Sequence, residues 1–465
     1  MTGYDIFINN AEWFKYNLNM KNCFNIILQL FKSKTYFLLS LFFTITASGQ
    51  VQDSVSYLQP NINQKHTTTT ISTKDNYFFV YDGLYDMTGS AQNLMAVSHL
   101  LGRGLDELAC KPEKKTGFNI CCEKENFFCR MLIDFSFNLI FSNWLSTVQH
   151  ECMGHGFRAR EFDADINRYY ISPGLLGGQA YVDFNKEDLP YYGFLLEETG
   201  GSESNTVLAR EVFRQSLTND YFYHYYFYSF INKIDLSMYI LGGTPKVGTN
   251  EWNNPTEGRD VLNYIKAFNN KSAVREQEIY NSAKKGAYWG LADPSLLLSF
   301  YYYIRDYIIK GQAQVKNPMI RVKNISFLPF TDFHLSPFGF EYYLGTYLKN
   351  NKTLYETYYR WGKGNIDGNS YGFGLGILNA FKFWHFRFDI GGDFWKQDFN
   401  LLYYEIDNDK YQENILSGKI YMKTFYQINN SFSLFGQASY KGEGYLLGNP
   451  VNKGFNAKTG LRIHF

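Results

Sequence analysis

The sequence has little net charge and lacks the short motifs of several large enzyme classes. Lysine and arginine together number 45, aspartate and glutamate 44, and the formal charge is +1. This balance provides neither a basic surface for nucleic acid nor an acidic interaction tail. The chain contains no glycine-rich phosphate loop and no dinucleotide-binding fingerprint. The sequence therefore gives no indication of nucleotide-dependent chemistry.

Proline is scarce, with 11 residues, whereas the chain holds 42 phenylalanines and 39 tyrosines. Aromatic side chains are abundant in membrane β-barrels, where they line both water–lipid interfaces. A codon bias towards Phe, Tyr, Asn, Lys and Ile produces the same enrichment. Composition alone does not decide between these two explanations.

The N-terminal region has the pattern of a secretory signal. Lysines precede the apolar run 36–45, and small residues follow at 47–49. A run of this length suits a signal peptide and is short for a bilayer span. We therefore expect residues 1–49 to form a leader that is cleaved before Gln50. A leader that remains as an uncleaved anchoring helix is the alternative.

Cysteine is also infrequent, and its distribution agrees with export. Four cysteines fall within one stretch of twenty residues, namely Cys110, Cys121, Cys122 and Cys129. In an oxidising compartment this stretch predicts one or two disulfides. A metal cluster is the alternative, although the spacing is not the paired C-x-x-C of a zinc ribbon. Cys152 is left over.

The hydrophobic period divides the chain into an α+β, multidomain arrangement. Residues 50–75 are polar and threonine-rich, which is typical of a linker. Over 76–315 apolar residues recur at helical spacing, so we expect a mainly helical domain. Over 316–465 the period changes to two, and turn-forming residues separate the alternating runs.

The alternating runs have the pattern of transmembrane β-strands. Each has about ten residues and is joined to the next by a short turn. The last run ends in Phe465, and it resembles the closing strand of bacterial outer-membrane proteins. We expect a small antiparallel β-barrel of about eight strands in the outer membrane. A soluble β-sandwich or a lipocalin-like barrel is the alternative.

The sharpest local motif is His150-Glu151-Cys152-Met153-Gly154-His155, which follows an apolar helical run. It resembles the H-E-x-x-H helix of zincin metallopeptidases, in which two histidines bind zinc and the glutamate activates water. Here the second histidine comes one residue late. On a regular helix, residues five apart point about 140° apart, so His150 and His155 would not share one metal ion.

Two arrangements resolve this spacing. A π-bulge, eased by Gly154, absorbs the extra residue, brings both histidines to the metal and leaves Glu151 as the catalytic base. Alternatively Glu151 and His155, which are four apart, are the ligands. A structural role is the competing interpretation, in which the motif pairs with Arg158 and Arg160.

A third ligand must come from later in the chain. The stretch 198–205 precedes a helical run and resembles the glutamate-bearing second helix of gluzincins, which nominates Glu203 as the third zinc ligand. Glu211 and His224 are the alternative candidates for the third zinc ligand. Asp134 is a candidate to orient a ligand histidine, and His99 is expected on a helix surface.

These features together predict an outer-membrane-anchored zinc hydrolase, most simply a metallopeptidase. The expected partners are peptide or envelope-protein substrates and membrane lipid, with no nucleic acid, and the oligomeric state stays open. The alternative is a non-catalytic barrel protein with a helical binding or plug domain. In a third possibility, helices 131–149 and 222–241 enter the membrane themselves. Polar residues such as Asp134 and Lys233 argue against free-standing spans.

Overall fold

The structure is a computed structural model, and it describes 76–82, 86–110, 131, 134–171, 180–185, 189–219, 221–254, 258–270, 276–312, 314–363, 369–397, 415–429 and 432–464. The expected leader 1–49, the expected linker 50–75 and the side chains of the cysteine-rich stretch lie outside the described residues. Residues 71–465 form one compact unit. Within that unit, the expected boundary near 316 is a change from helix to strand.

Ten α-helices are described before residue 316. They are α1 (Met87–Cys110), α2 (Leu139–His150), α3 (Gly156–Glu161), α4 (Tyr191–Asn219), α5 (Tyr226–Ile231), α6 (Asp235–Met238), α7 (Asn250–Asn253), α8 (Asp260–Asn270), α9 (Glu276–Leu291) and α10 (Pro294–Tyr302). Local sequence explains several of their ends. Helix α10 begins with proline at its first turn, and the Asp293 side chain caps it by accepting the Ser295 N–H.

No helix in the described part of the chain combines the length and the apolar character needed to cross a membrane.

Fourteen strands are described. They are β1 (Asn76–Asp82), β2 (Ile166–Ile171), β3 (Ala180–Phe184), β4 (Tyr221–Tyr223), β5 (Gln314–Lys316), β6 (Ile320–Val322), β7 (Ile325–Ser336), β8 (Gly339–Asn350), β9 (Thr353–Lys363), β10 (Asn369–Phe383), β11 (Phe386–Gln397), β12 (Ile415–Gln427), β13 (Phe432–Lys441) and β14 (Gly454–His464). Ten of them form one antiparallel sheet in the order β1-β14-β13-β12-β11-β10-β9-β8-β7-β6, while β2 pairs with β3 and β4 with β5.

The large sheet differs from the sequence expectation in one strand. Residues 316–465 supply nine of its strands, where about eight were expected, and the tenth is β1 from the region predicted to be helical. β1 pairs with the C-terminal strand β14. Among the described residues the sheet is not closed, because its end strands β1 and β6 do not pair with each other.

The two faces of the sheet have opposite chemistry. Charged side chains on the inner face are buried, including Glu341, Glu356, Arg360, Lys458 and Arg462. Large apolar side chains on the outer face are exposed, including Leu344, Phe373, Phe394, Ile420 and Phe455. This order is the reverse of a soluble sheet, whose apolar face is buried in the core.

Helix α4 lies along the inner face and is tied to it by buried ion pairs. The Arg210 guanidinium donates to the Asp332 carboxylate of β7 (3.3 Å), and the Arg214 Nε donates to Glu356 of β9 (2.6 Å). A hydrophobic core forms where helices α8 and α9 meet the ends of β7 and β8, around Trp252, Tyr264, Phe268, Phe333 and Phe340. These contacts fix the positions of α4 and α8, which carry the site.

Candidate metal centre

The two histidines of the motif are brought together by a π-helical turn. Helix α2 ends at His150, residues Glu151–His155 form the π turn, and α3 continues from Gly156. The Gly156 N–H donates to the Glu151 carbonyl five residues earlier, which is the π-helical hydrogen bond. The imidazole rings lie 5.0 Å apart, centroid to centroid. The π-bulge predicted from the late second histidine is confirmed.

Glycines let this turn lie directly on helix α4. A Cβ atom on Gly154 would lie 2.6 Å from the Gly200 carbonyl oxygen, so the two backbones touch at these residues. A Cβ on Gly201 would lie 2.2 Å from Nε2 of His150. The His150 ring therefore occupies space that any side chain at position 201 would fill.

Asp260, the first residue of α8, completes a group of three possible ligands. Its Oδ2 lies 3.7 Å from Nε2 of His150 and 3.4 Å from Nε2 of His155. In a tetrahedral zinc site with ligand distances of about 2.0–2.1 Å, neighbouring ligand atoms lie roughly 3.4 Å apart. These three residues are the candidate metal group within the described part of the chain, and the two His–Asp separations fit one ion.

The far side of each imidazole is held by the protein. Nδ1 of His155 lies 2.7 Å from the Glu197 carbonyl oxygen and 3.3 Å from its Oε1. Nδ1 of His150 lies 3.2 Å from the Asn205 amide, which in turn donates to Asp235 (3.1 Å). A carbonyl that accepts from Nδ1–H of His155 leaves its Nε2 lone pair free for a metal ion, as is usual for metal-binding histidines.

Asp260 is positioned by the start of its helix. Its backbone N–H donates to the Tyr239 hydroxyl (3.1 Å), and that hydroxyl donates to the Gly258 carbonyl (2.5 Å). Burial alone would raise the pKa of Asp260, but the facing histidines outweigh burial and hold it well below its usual range. Burial likewise would lower the pKa of His155, yet the carboxylates of Asp260 and Glu197 raise it well above its ordinary value. The two histidines and the carboxylate therefore stabilise one another's charged forms.

The structure does not bring Glu203, nominated as third ligand, to this group. Arg158 donates to both of its carboxylate oxygens (3.0 and 2.6 Å), and the Gly448 N–H donates to it as well. The reason is helical geometry. Gly201 faces His150, and a residue two positions further lies about 200° round the helix. Asp260, and not Glu203, is the third possible ligand beside the two histidines.

The alternative candidates for the third ligand also lie elsewhere. Glu211 pairs with Arg214 (2.6 Å). His224 stacks on Tyr307 with centroids 4.0 Å apart, and its Nδ1 lies 3.2 Å from Asp134, so Asp134 orients this histidine and not a ligand.

The expectation that His99 lies on a helix surface is wrong. His99 is buried, with Nδ1 2.6 Å from the Tyr225 hydroxyl. Helix α1 buries Ser98 and His99 and exposes Leu100 and Leu101. The usual assumption that the polar side of a helix faces water fails here.

Glu151 and Cys152 lie within the π turn and are partly exposed. The Glu151 charge acts on both His150 and Cys152. Burial, aided by this charge, raises the pKa of the Cys152 thiol to about 11. Cys152 is therefore a thiol at neutral pH, and a thiolate is the form that binds metals.

Sequence reasoning missed Asp260. It follows a cluster of Asn, Pro and Gly residues at 248–258 that indicates only a loop, and an aspartate in the first turn of a helix is common for electrostatic reasons alone. The sequence signal for Asp260 was weak, because the distance between Asp260 and His150 depends on how α8 packs against α4.

Comparison of the chain with family models, curated proteins and solved structures finds no match. What the site can do follows from its geometry. Three protein ligands leave one position of a tetrahedral ion open, which is typical of catalytic and not of structural zinc sites. His150 and Asp260 are each about one-fifth exposed, so the open side reaches solvent.

Proposed function

We propose that this chain is a metal-dependent hydrolase, most simply a zinc peptidase, held in the outer membrane by its sheet. The observation that carries the proposal is the convergence of His150, His155 and Asp260 at separations that fit one tetrahedral ion. The resemblance of the His-Glu motif to zincins supports peptides or envelope proteins as the substrate class.

The residues have distinct roles in this proposal. His150, His155 and Asp260 would hold the ion, and the Glu197 carbonyl orients the His155 imidazole by accepting from Nδ1–H. At this position zinc would supply Lewis acidity, which lowers the pKa of water towards neutral and polarises a carbonyl group. Glu151 takes a proton from the attacking water and delivers it to the leaving amine.

The sheet supports a location in the outer membrane. Its outer face is apolar and its inner face is charged, as in membrane β-barrels, whose strands alternate between lipid and interior. The predicted signal peptide is consistent with export. In this proposal the sheet acts as a small barrel filled by helix α4 and its ion pairs, so it anchors the enzyme and does not form a pore.

Metal content tests the site first. We expect about one zinc per chain in full-length protein purified in detergent without chelators, measured by mass spectrometry of the metal. His155→Ala and Asp260→Asn should lose it, whereas His385→Ala, a change at an exposed turn histidine, should retain it. Absence of metal from the wild type, or equal metal in all four proteins, would refute the site.

Turnover then separates an enzyme from a structural metal protein. Glu151→Gln keeps the shape of the side chain and removes the base, so we expect unchanged zinc and a 10²- to 10⁴-fold loss of peptide hydrolysis. Peptide libraries with the wild type provide the assay. If the wild type binds zinc but cleaves nothing, the non-catalytic membrane protein is the better description.

A further inference from the structure

Three helices of this protein bury polar side chains and expose large apolar ones, although they also bury apolar residues such as Met95, Leu145 and Leu296. In α2, Ser142, Ser146 and Gln149 are buried while Trp144 is exposed. Helix α10 repeats the pattern, as its two buried serines contrast with exposed Leu297 and Tyr301. Helix α1 shows it as well. Helices on a water-facing surface have the opposite order.

These helices lie where the sheet is open. Helix α1 packs against end strand β1, α2 packs against α1, α5 against α2, and α10 against both α5 and β7. The contact between α5 and α10 includes Phe227 and Phe300, with centroids 5.2 Å apart. The helices therefore form a continuous path from one end of the sheet to the other.

Side chains of α10 and of β7 itself also satisfy part of the β7 edge that β6 leaves unpaired. β6 pairs only with the first residues of β7, up to Phe327. Further along, the Thr331 N–H donates to Oδ1 of Asp293, the capping residue of α10 (3.1 Å), and the Thr331 hydroxyl donates to the Trp289 carbonyl (3.1 Å). The Phe333 N–H donates to the Asp332 side chain (3.0 Å). Unpaired backbone groups are costly next to hydrocarbon, and side chains here remove that cost.

A neighbouring helix provides the contrast. The exposed positions of α9 include Glu278, Asn281 and Lys285, as expected for contact with water. In α10, by comparison, Pro294–Tyr302 contains no charged residue. The reversed order is thus a property of the helices that span the opening and not of every helix.

We infer that α1, α2 and α10 form a helical wall that closes the opening between β1 and β7 and contacts the acyl chains of membrane lipids. The inference rests on the proposed membrane location of the sheet. The occupant is lipid because the exposed apolar surface of the helical wall continues that of the sheet: Thr331, where α10 meets β7, pairs with Leu344, an exposed outer-face residue of β8. The wall keeps its polar residues inward, as lipid contact requires.

Photocrosslinking of the full chain in phosphatidylethanolamine vesicles tests this inference. The photoreactive residue p-benzoylphenylalanine would replace Leu297 of the helical wall or, in a second variant, Trp144. The matched control replaces Leu375 on the outer sheet face, since Leu297 and Leu375 are 40% and 41% exposed. Lys285 of α9 is the water-facing control. Lipid adducts are counted by mass spectrometry.

We expect lipid adducts at Leu297 and Trp144 within about threefold of those at Leu375, and at least tenfold fewer at Lys285. Adducts at Leu375 but at neither position of the helical wall would overturn this inference and leave the membrane location intact. Absence of adducts at Leu375 as well would overturn the membrane location itself. Crosslinks from Leu297 to a second copy of the chain would show that protein covers the helical wall, which also overturns the inference.

Discussion

The most precise prediction comes from Gly201, because this residue lies in close contact with the His150 ring. A Cβ atom there would lie 2.2 Å from Nε2 of His150. Non-bonded heavy atoms approach to about 3.5 Å, so Gly201→Ala must displace the ring by roughly 1.3 Å. Metal sites tolerate only about ±0.2 Å in ligand distance. We therefore expect His150 to be lost as a ligand.

The expected magnitude is a loss of zinc affinity of about 100-fold, or about 2.8 kcal/mol. Competition with a chromophoric chelator measures it. Gly242→Ala is the control, because Gly242 is also helical and a Cβ there meets no atom within 4 Å. Alanine is the better helix former by about 1 kcal/mol, so a weakened helix would not account for the loss. Affinity within threefold of the wild type would refute the geometry of the site.

Two further predictions follow from neighbouring side chains. Glu203→Gln should keep one zinc per chain and destabilise the fold by about 3–5 kcal/mol, because it leaves Arg158 buried without its main partner, whereas Asp260→Asn should lose zinc. Thermal unfolding beside metal analysis checks the pair, and zinc loss in Glu203→Gln alone would contradict it. Cys152, with a pKa of about 11, should be alkylated at pH 8 at least 100-fold more slowly than a free cysteine, with a rate that rises about tenfold per pH unit. Peptide-resolved mass spectrometry follows the reaction, and a rate like that of free cysteine would exclude the burial described.

Local sequence was sufficient where the determinants are local. The extra residue between His150 and His155 predicted the π turn because helical angles depend only on spacing, and Gly154 supplied the close approach that the turn needs. The period of two after residue 316 predicted the strands, since alternation follows directly from the pleat.

Tertiary packing decided the remaining features. The sequence around Asp260 does not indicate that helix α8 places it beside His150. The sequence around Glu203 does not indicate that Glu203 forms an ion pair with Arg158. The prediction for His99 failed because it assumed that polar residues of a helix face water. In α1 polar residues such as His99 are buried. β1 was missed because seven residues in a mainly helical region show no sustained period, and their partner strand is far away in the sequence.

That partner strand has a consequence for assembly. Asn76 pairs with His464, so the first described strand meets the last, 388 residues further along the chain. Hairpins between successive strands form over short loops, but the β1–β14 pair joins segments far apart in the sequence and is the slowest kind of contact to make. β1 therefore has no place to dock until the C-terminal strand has arrived. In a chain truncated before β14, both β1 and β13 would have unpaired edges, and unpaired strand edges promote aggregation.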